Sequence, residues 1–238
     1  MRFVSILAFV GLVSGCSDNG DAGMFVLNNS APPAGTVCTF TGEQAQLFTS
    51  AGTISWYATE LGQGYVLSPL VESRIATTSA SQVAQRTIHL EGANITAQVN
   101  GTGAKRQYTV LFAGSLVPGG TTNVSFEALP VASIVAFDPV GDQNVLVVLT
   151  IQIYGSFGGS RIDADPFVYP VTIVGKEKGV AFGTSTTSVT SCKTSTSVAR
   201  TGNACNPLQD GVVDCCREQV GAMPMGSDPL VCPAVPQN

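Results

Sequence analysis

The sequence predicts an all-β chain, an antiparallel β-sandwich of immunoglobulin-like architecture with a disulfide-rich C-terminal tail. Three observations predict it. Runs with period-two alternation, rich in β-branched and aromatic residues, recur from residue 36 to about 182. Glycine, proline and asparagine turn signals separate those runs, and no long helical periodicity lies between them. Five of the seven cysteines, Cys192, Cys205, Cys215, Cys216 and Cys232, crowd into the last stretch. Together these give seven to nine strands in two sheets, with a jelly roll or closed barrel as the alternative.

At the N-terminus, Arg2 precedes an apolar run at residues 3–13, which is short for an anchor helix and suits a secretory signal. The run ends in Leu12, Val13, Ser14, Gly15 and Cys16, which resembles a bacterial lipobox. That resemblance implies cleavage before Cys16, so that residues 1–15 are a lipoprotein signal peptide, and a diacylglycerol on the Cys16 thiol. Ser17 after the cysteine, in place of aspartate, implies the outer membrane by the same resemblance. Cysteine parity agrees. Seven is odd, and setting Cys16 aside leaves Cys38, Cys192, Cys205, Cys215, Cys216 and Cys232, an even set that an oxidising envelope converts into three disulfides. The only membrane contact expected is through that lipid.

Residues 16–35 are rich in Gly, Asn, Asp and Pro and read as a flexible tether, reaching roughly 20–25 Å as coil. Met24, Phe25, Val26 and Leu27 interrupt it and could dock on the body as an extra strand. The β-sandwich domain spans 36–190. Its expected strands are 53–60 (TISWYATE), then 65–75 with Pro69 at a bulge or edge, 87–91 and 94–99. After these come 107–112, 122–129, the run from Val145 that reads as a central strand to Tyr154, and 161–174. Asn100-Gly101, Pro118-Gly119-Gly120, Pro139-Val140-Gly141 and Gly158-Gly159 mark turns. Residues 79–85 could hold one helical turn, and 183–193 a last strand or a linker. The apolar run 128–137 is strand-sized.

The segment 191–238 is too proline-rich for a core of its own, so covalent bonds are expected to brace it to the sandwich. Cys38 would then join the tail, closing a loop of about 150 residues worth roughly 5 kcal/mol of chain entropy. Adjacent Cys215 and Cys216 are expected to take different partners, because a vicinal ring is strained. The connectivity among the 15 possibilities stays open. The stretch 205–216 (CNPLQDGVVDCC) resembles an element of uncharacterised surface lipoproteins of predatory and soil deltaproteobacteria. In these a lipobox, a sandwich-like body and a CNPxQD…CC tail occur together. The segment 115–120 (SLVPGG) before a Val-Ser-Phe strand is similar too. The resemblance implies architecture and brings no activity.

A net charge of −5 and 11% charged residues argue against nucleic acid as a partner. His89 is the single histidine and alternates toward the same face as Thr87 and Glu91, a solvent-facing strand position. There is no Gly-x-Ser-x-Gly elbow to make it part of a triad. The cysteines lack the Cys-x-x-Cys pairs of zinc ribbons and thiol oxidoreductases. Asp163, Asp165, Asp138, Asp142 and Asn144 could offer calcium oxygens without matching an EF-hand. Trp56 is the candidate ligand-binding aromatic, its competing role being a core anchor. Three Asn-x-Ser/Thr matches at Asn28, Asn94 and Asn123 are coincidence in a bacterial lipoprotein. The expectation is therefore a non-enzymatic outer-membrane lipoprotein without cofactor or metal, a structural or adhesive β-sandwich module. Its partner would be an envelope or extracellular protein or glycan. The alternative is a module that binds carbohydrate or peptide.

Overall fold

A computed structural model describes residues 23–31, 47–76, 86–137, 143–175, 206 and 208–210, together with the backbone of 216–217 and 230–231. The chain is all-β among these residues. Its strands are β1 (Met24–Ser30), β2 (Phe48–Thr49), β3 (Gly52–Ser55), β4 (Tyr65–Leu67), β5 (Pro69–Ser73), β6 (Ile88–Val99) and β7 (Lys105–Leu116). They continue with β8 (Thr121–Asn123), β9 (Phe126–Leu129), β10 (Val145–Phe157), β11 (Ser160–Asp163), β12 (Phe167–Val174), β13 (Cys216–Arg217) and β14 (Leu230–Val231). A 3-10 segment (Trp56–Leu61) and one short helix, α1 (Val131–Ala136), complete the described elements.

One sheet runs β2-β1-β5-β8; the largest runs β3-β12-β10-β6-β7, with β11 folded onto β10; β4 pairs with β9 and β13 with β14. Every described pair is antiparallel except β3 with β12. One apolar cluster draws on the first three of these sheets: Met24 from β1, Val71 from β5, Leu67 from β4, Leu129 from β9, and Ile95, Leu149 and Val171 from the largest sheet. Burying such side chains is worth about 1.5–3 kcal/mol each and is what drives the sheets together.

β10 is the central strand that its apolar start suggests. Val147, Leu149, Ile151 and Ile153 turn inward, while β12 and β6 flank it in register. The hairpin turns also fall where expected. Asn100 and Gly101 take φ 49° and 70°, and Gly158 and Gly159 take 58° and 82°. Such consecutive left-handed residues suit the twist of tight β-hairpins.

Several expectations are corrected. The tether does not extend through 24–30, where residues 24–27 dock as part of an extra strand, the other course open to them. β1 lies between β2 and β5 with Met24 fully buried, because Met24 supplies apolar surface and Asn29 supplies the bonds described below. The segments 87–91 and 94–99 are one strand, β6. A bulge between Leu90 and Gly92 moves the buried set from Ile88 and Leu90 to Ala93, Ile95 and Ala97, so the two halves read as separate alternations. The strand expected over 53–60 stops at Ser55. There the Ser55 hydroxyl accepts from the Tyr57 N–H and starts the 3-10 segment, which Gly62 ends at φ 68°. The run 128–137 is not a strand either. β9 ends at Leu129, and Pro130, with no N–H to give a ladder, opens α1.

The strand expected over 65–75 is broken at Ser68 into β4 and β5, with Pro69 as the first residue of β5. Its neighbour breaks at the same level, between β8 and β9, and the Ser68 and Ser125 hydroxyls meet across the break at 2.7 Å. Cys16, Cys38, Cys192, Cys205, Cys215 and Cys232 lie outside the described residues, as do 79–85, 139–141 and 183–193. Cys216 is described by its backbone alone, in β13.

Candidate functional site

The main buried polar assembly among the described residues forms where the C-terminal segment meets two strand edges. β3 is paired on one side by β12, and β4 on one side by β9. Residues 206 and 208–210 close the other edge of both. The backbone closes β3. Leu208 C=O accepts from the Ser55 N–H at 2.9 Å, and the Asp210 N–H donates to Thr53 C=O at 2.8 Å, around an antiparallel bridge between Ile54 and Gln209. Side chains close β4. The Gln209 amide acts as a surrogate strand, accepting from the Val66 N–H at 2.9 Å and donating to Val66 C=O at 2.7 Å. Asn206 Nδ2 donates to Gly64 C=O at 2.9 Å and to Gln209 Oε1 at 2.8 Å, which orients that amide.

Two positions hold the segment in shape at some cost. Leu208 and Asp210 have φ 76° and 56°, in the left-handed region that non-glycine residues enter rarely. Leu208 is compensated by burial, being 1% exposed and part of the apolar cluster. Asp210 is compensated by donors. Its carboxylate accepts from the Thr53 N–H at 2.8 Å, from Tyr65 Oη at 3.1 and 3.0 Å, and from Gln209 Nε2 at 3.2 Å.

From Asp210 the hydrogen bonds continue inward. Tyr65 gives its proton to the carboxylate, so its oxygen accepts from Tyr169 Oη at 3.2 Å. Tyr169 in turn accepts from the Thr49 hydroxyl at 2.8 Å. Asn29 Nδ2 donates to Thr49 Oγ1 at 2.8 Å, and Asn29 Oδ1 accepts from the Ser68 N–H at 2.7 Å. This chain of donors, all pointing toward Asp210, links β1, β2, β12 and β4 to the C-terminal segment. Burial holds the Asp210 carboxyl above the usual carboxylate range, against the lowering effect of the Thr53, Gln209 and Tyr65 donors. Burial, and then the neighbouring Asp210, push the Tyr65 hydroxyl far above its ordinary value, so it stays a protonated donor. Burial also raises Tyr169.

Beside this seam a shallow groove of about 290 Å³ is lined by Thr49, Ala51, Gly52, Thr53, Thr172 and Asp210. A second, of about 360 Å³, lies on the largest sheet, among Asn94, Thr96, Gln107, Thr150, Gln152 and Pro166. Its side chains are uncharged, with Gln107 Nε2 donating to Thr96 Oγ1 at 3.2 Å. On the adjacent strands the Thr109 hydroxyl donates to Asn94 Oδ1 at 2.9 Å.

The residues singled out from the sequence do not converge. His89 is exposed on β6, in register with Ser115 and Ser156. Trp56 is in the 3-10 segment rather than in a strand. It is half-buried against the core, edge-on to Tyr57 at 5.8 Å between ring centroids. Asp163 is tied to Arg161 at 2.8 Å, Asp165 is exposed, and Asn144 Oδ1 accepts from the Gly175 N–H at 3.3 Å. Asp138 and Asp142 lie outside the described residues. Among the described residues, no three His, Cys, Asp or Glu side chains gather closely enough to hold a metal. Sequence reasoning noted Asn206, Gln209 and Asp210 inside a recurring motif without a role. The available signal was the buried-type residue Leu208 between amides in an otherwise coreless tail.

No protein-family model, no curated protein and no solved structure matches this chain.

Proposed function

We propose that this chain is a non-enzymatic, lipid-anchored envelope protein whose β body is an immunoglobulin-like sandwich with a structural or adhesive role. Cys16 carries the lipid at the outer membrane. The other six cysteines, Cys38, Cys192, Cys205, Cys215, Cys216 and Cys232, form three disulfides that brace the tail. The single observation that carries the structural reading is the seam at Asp210. Its tyrosines, amides and carboxylate are engaged with one another and with strand edges, an arrangement that holds a body together. The two main sheets sharing one apolar cluster support the sandwich.

Intact-mass measurement on unreduced protein from membranes tests the anchor and the bracing. The expected result is loss of residues 1–15, an added acyl mass and three missing pairs of hydrogens. An intact leader with seven free thiols overturns the reading. Adhesion is tested by comparing cell attachment for the wild type, a deletion and Cys16→Ser, which is expected to behave like the deletion. Equal attachment in all three refutes an adhesive role.

A second reading, a module that binds carbohydrate, is favoured by the uncharged groove of Asn94, Thr96, Gln107, Thr150 and Gln152. Hydroxyls and amides of this kind match the hydrogen-bonding pattern of neutral sugars. Glycan-array binding lost in Thr150→Ala/Gln152→Ala would support it; absence of binding to neutral glycans would dismiss it.

A further inference from the structure

The crease between β3 and β4 has the character of a receptor, and residues 206–210 that of its ligand. The segment comes from far away in sequence, with 142 to 157 residues between bonded partners. Three of its side chains each read a defined part of the crease: Asn206 reads Gly64, Gln209 both polar groups of Val66, and Asp210 Thr53 and Tyr65. Leu208 adds a buried apolar anchor. This is β-strand addition with side-chain selection, the mode by which extended peptides are recognised at sheet edges.

We infer that the crease is a docking site for the sequence Asn-x-Leu-Gln-Asp, and that its second occupant is the same segment of another copy of this chain, so that two copies associate by exchanging it. The chain length supports this. Before the disulfides close, the thirty residues between Gly175, after the end of β12, and Asn206 can span up to about 100 Å. A body of this size has a radius of gyration of only about 16 Å, so the segment can reach a neighbour's crease as well as its own. Every contact made within one chain is then reproduced between chains, and exchange costs mainly the entropy of association. The intramolecular segment competes at high effective concentration, so exchange is greatest when copies fold together in a crowded sample.

The test uses full-length chains carrying two different tags. They are unfolded together with reductant and refolded at high and low protein concentration, then separated by size and weighed by native mass spectrometry. Mixed dimers are expected at high concentration, at least tenfold more abundant than for Asn206→Ala/Gln209→Ala/Asp210→Ala. A synthetic peptide covering residues 204–212, added during refolding of the wild type, is expected to suppress them. The same peptide with alanine at 206, 209 and 210 is expected to leave them unchanged. The peptide arm does not depend on any variant folding. Absence of mixed dimers at every concentration overturns the inference, as do dimers that both peptides affect equally.

Discussion

Gln209→Ala is the most informative single change in the seam. Gln209 is 3% exposed, and its amide makes four hydrogen bonds, two of them to the backbone of Val66. Truncation to alanine leaves the Val66 N–H and C=O without that partner at an edge the segment covers. A buried polar group stripped of its partner costs about 1–3 kcal/mol. Two such groups give a ceiling of about 6 kcal/mol. Because the seam borders a shallow groove, water can enter and recover part of it, leaving about 2–4 kcal/mol. The assay is urea unfolding of wild type and variant, paired with hydrogen exchange at the Val66 amide. A local loss of 2 kcal/mol corresponds to roughly 30-fold faster exchange. Gln209→Glu separates hydrogen bonding from packing. It keeps an acceptor for the Val66 N–H, removes the donor to Val66 C=O, and places a second negative charge beside Asp210. It is expected to lose at least as much as alanine. A loss below about 0.5 kcal/mol for Gln209→Ala, with unchanged protection at Val66, would refute the surrogate-strand argument.

The remaining predictions concern the hydrogen-bonded chain behind it. Because burial raises the Asp210 carboxyl, the folded state takes up its proton more readily than the unfolded state. Stability attributable to Asp210 therefore rises as pH falls from neutral through that raised value, and the rise is complete below the unfolded value near 3.8. The urea midpoint of the wild type minus that of Asp210→Asn is expected to grow on moving from about pH 7 to pH 4; a flat difference contradicts the assignment. Tyr169→Phe removes the hydroxyl that joins Tyr65 to Thr49 and is expected to cost about 1–3 kcal/mol in urea unfolding, whereas an unchanged midpoint would mean the chain of donors is not coupled. Gly52→Ala places a methyl against the Tyr65 hydroxyl and ring. The expected loss is about 1–3 kcal/mol, with slackened protection at Thr53, and a variant as stable as wild type would show that Tyr65 is free to move.

Much of the β framework was legible in the sequence, and the reason is local. Along β7, and along β10 from Val145 to Ile153, the environment of each face is constant, so alternation survives there. The tight hairpins announced themselves because left-handed pairs need Asn and Gly. Legibility fails where geometry changes phase. The bulge at Gly92 splits the pattern of β6, and the Ser55 cap diverts a β-rich run into a 3-10 turn. Residues 24–27 stand out of the tether as an apolar run, but nothing in composition announces that Asn29 and Ser30 are buried too, where their side chains take up Thr49, Ser68 and Asn123. The seam itself leaves no periodicity at all. It consists of side chains bonding to backbone more than 140 residues away, a relation that no window along the chain can contain.

The placement of β3 sets an order of events during synthesis. Its two neighbours are β12, in register with Gly52 at Val171, and residues 208–210, so both arrive late. The partners Thr53 and Asp210 are 157 residues apart, which at about 5–20 residues per second is a wait of roughly 8–30 s. Until β12 emerges, about 119 residues after Gly52, the strand Gly52–Ser55 has neither flank in place, and until Asp210 emerges it has only one; this is the period in which a nascent chain most needs shelter from its neighbours.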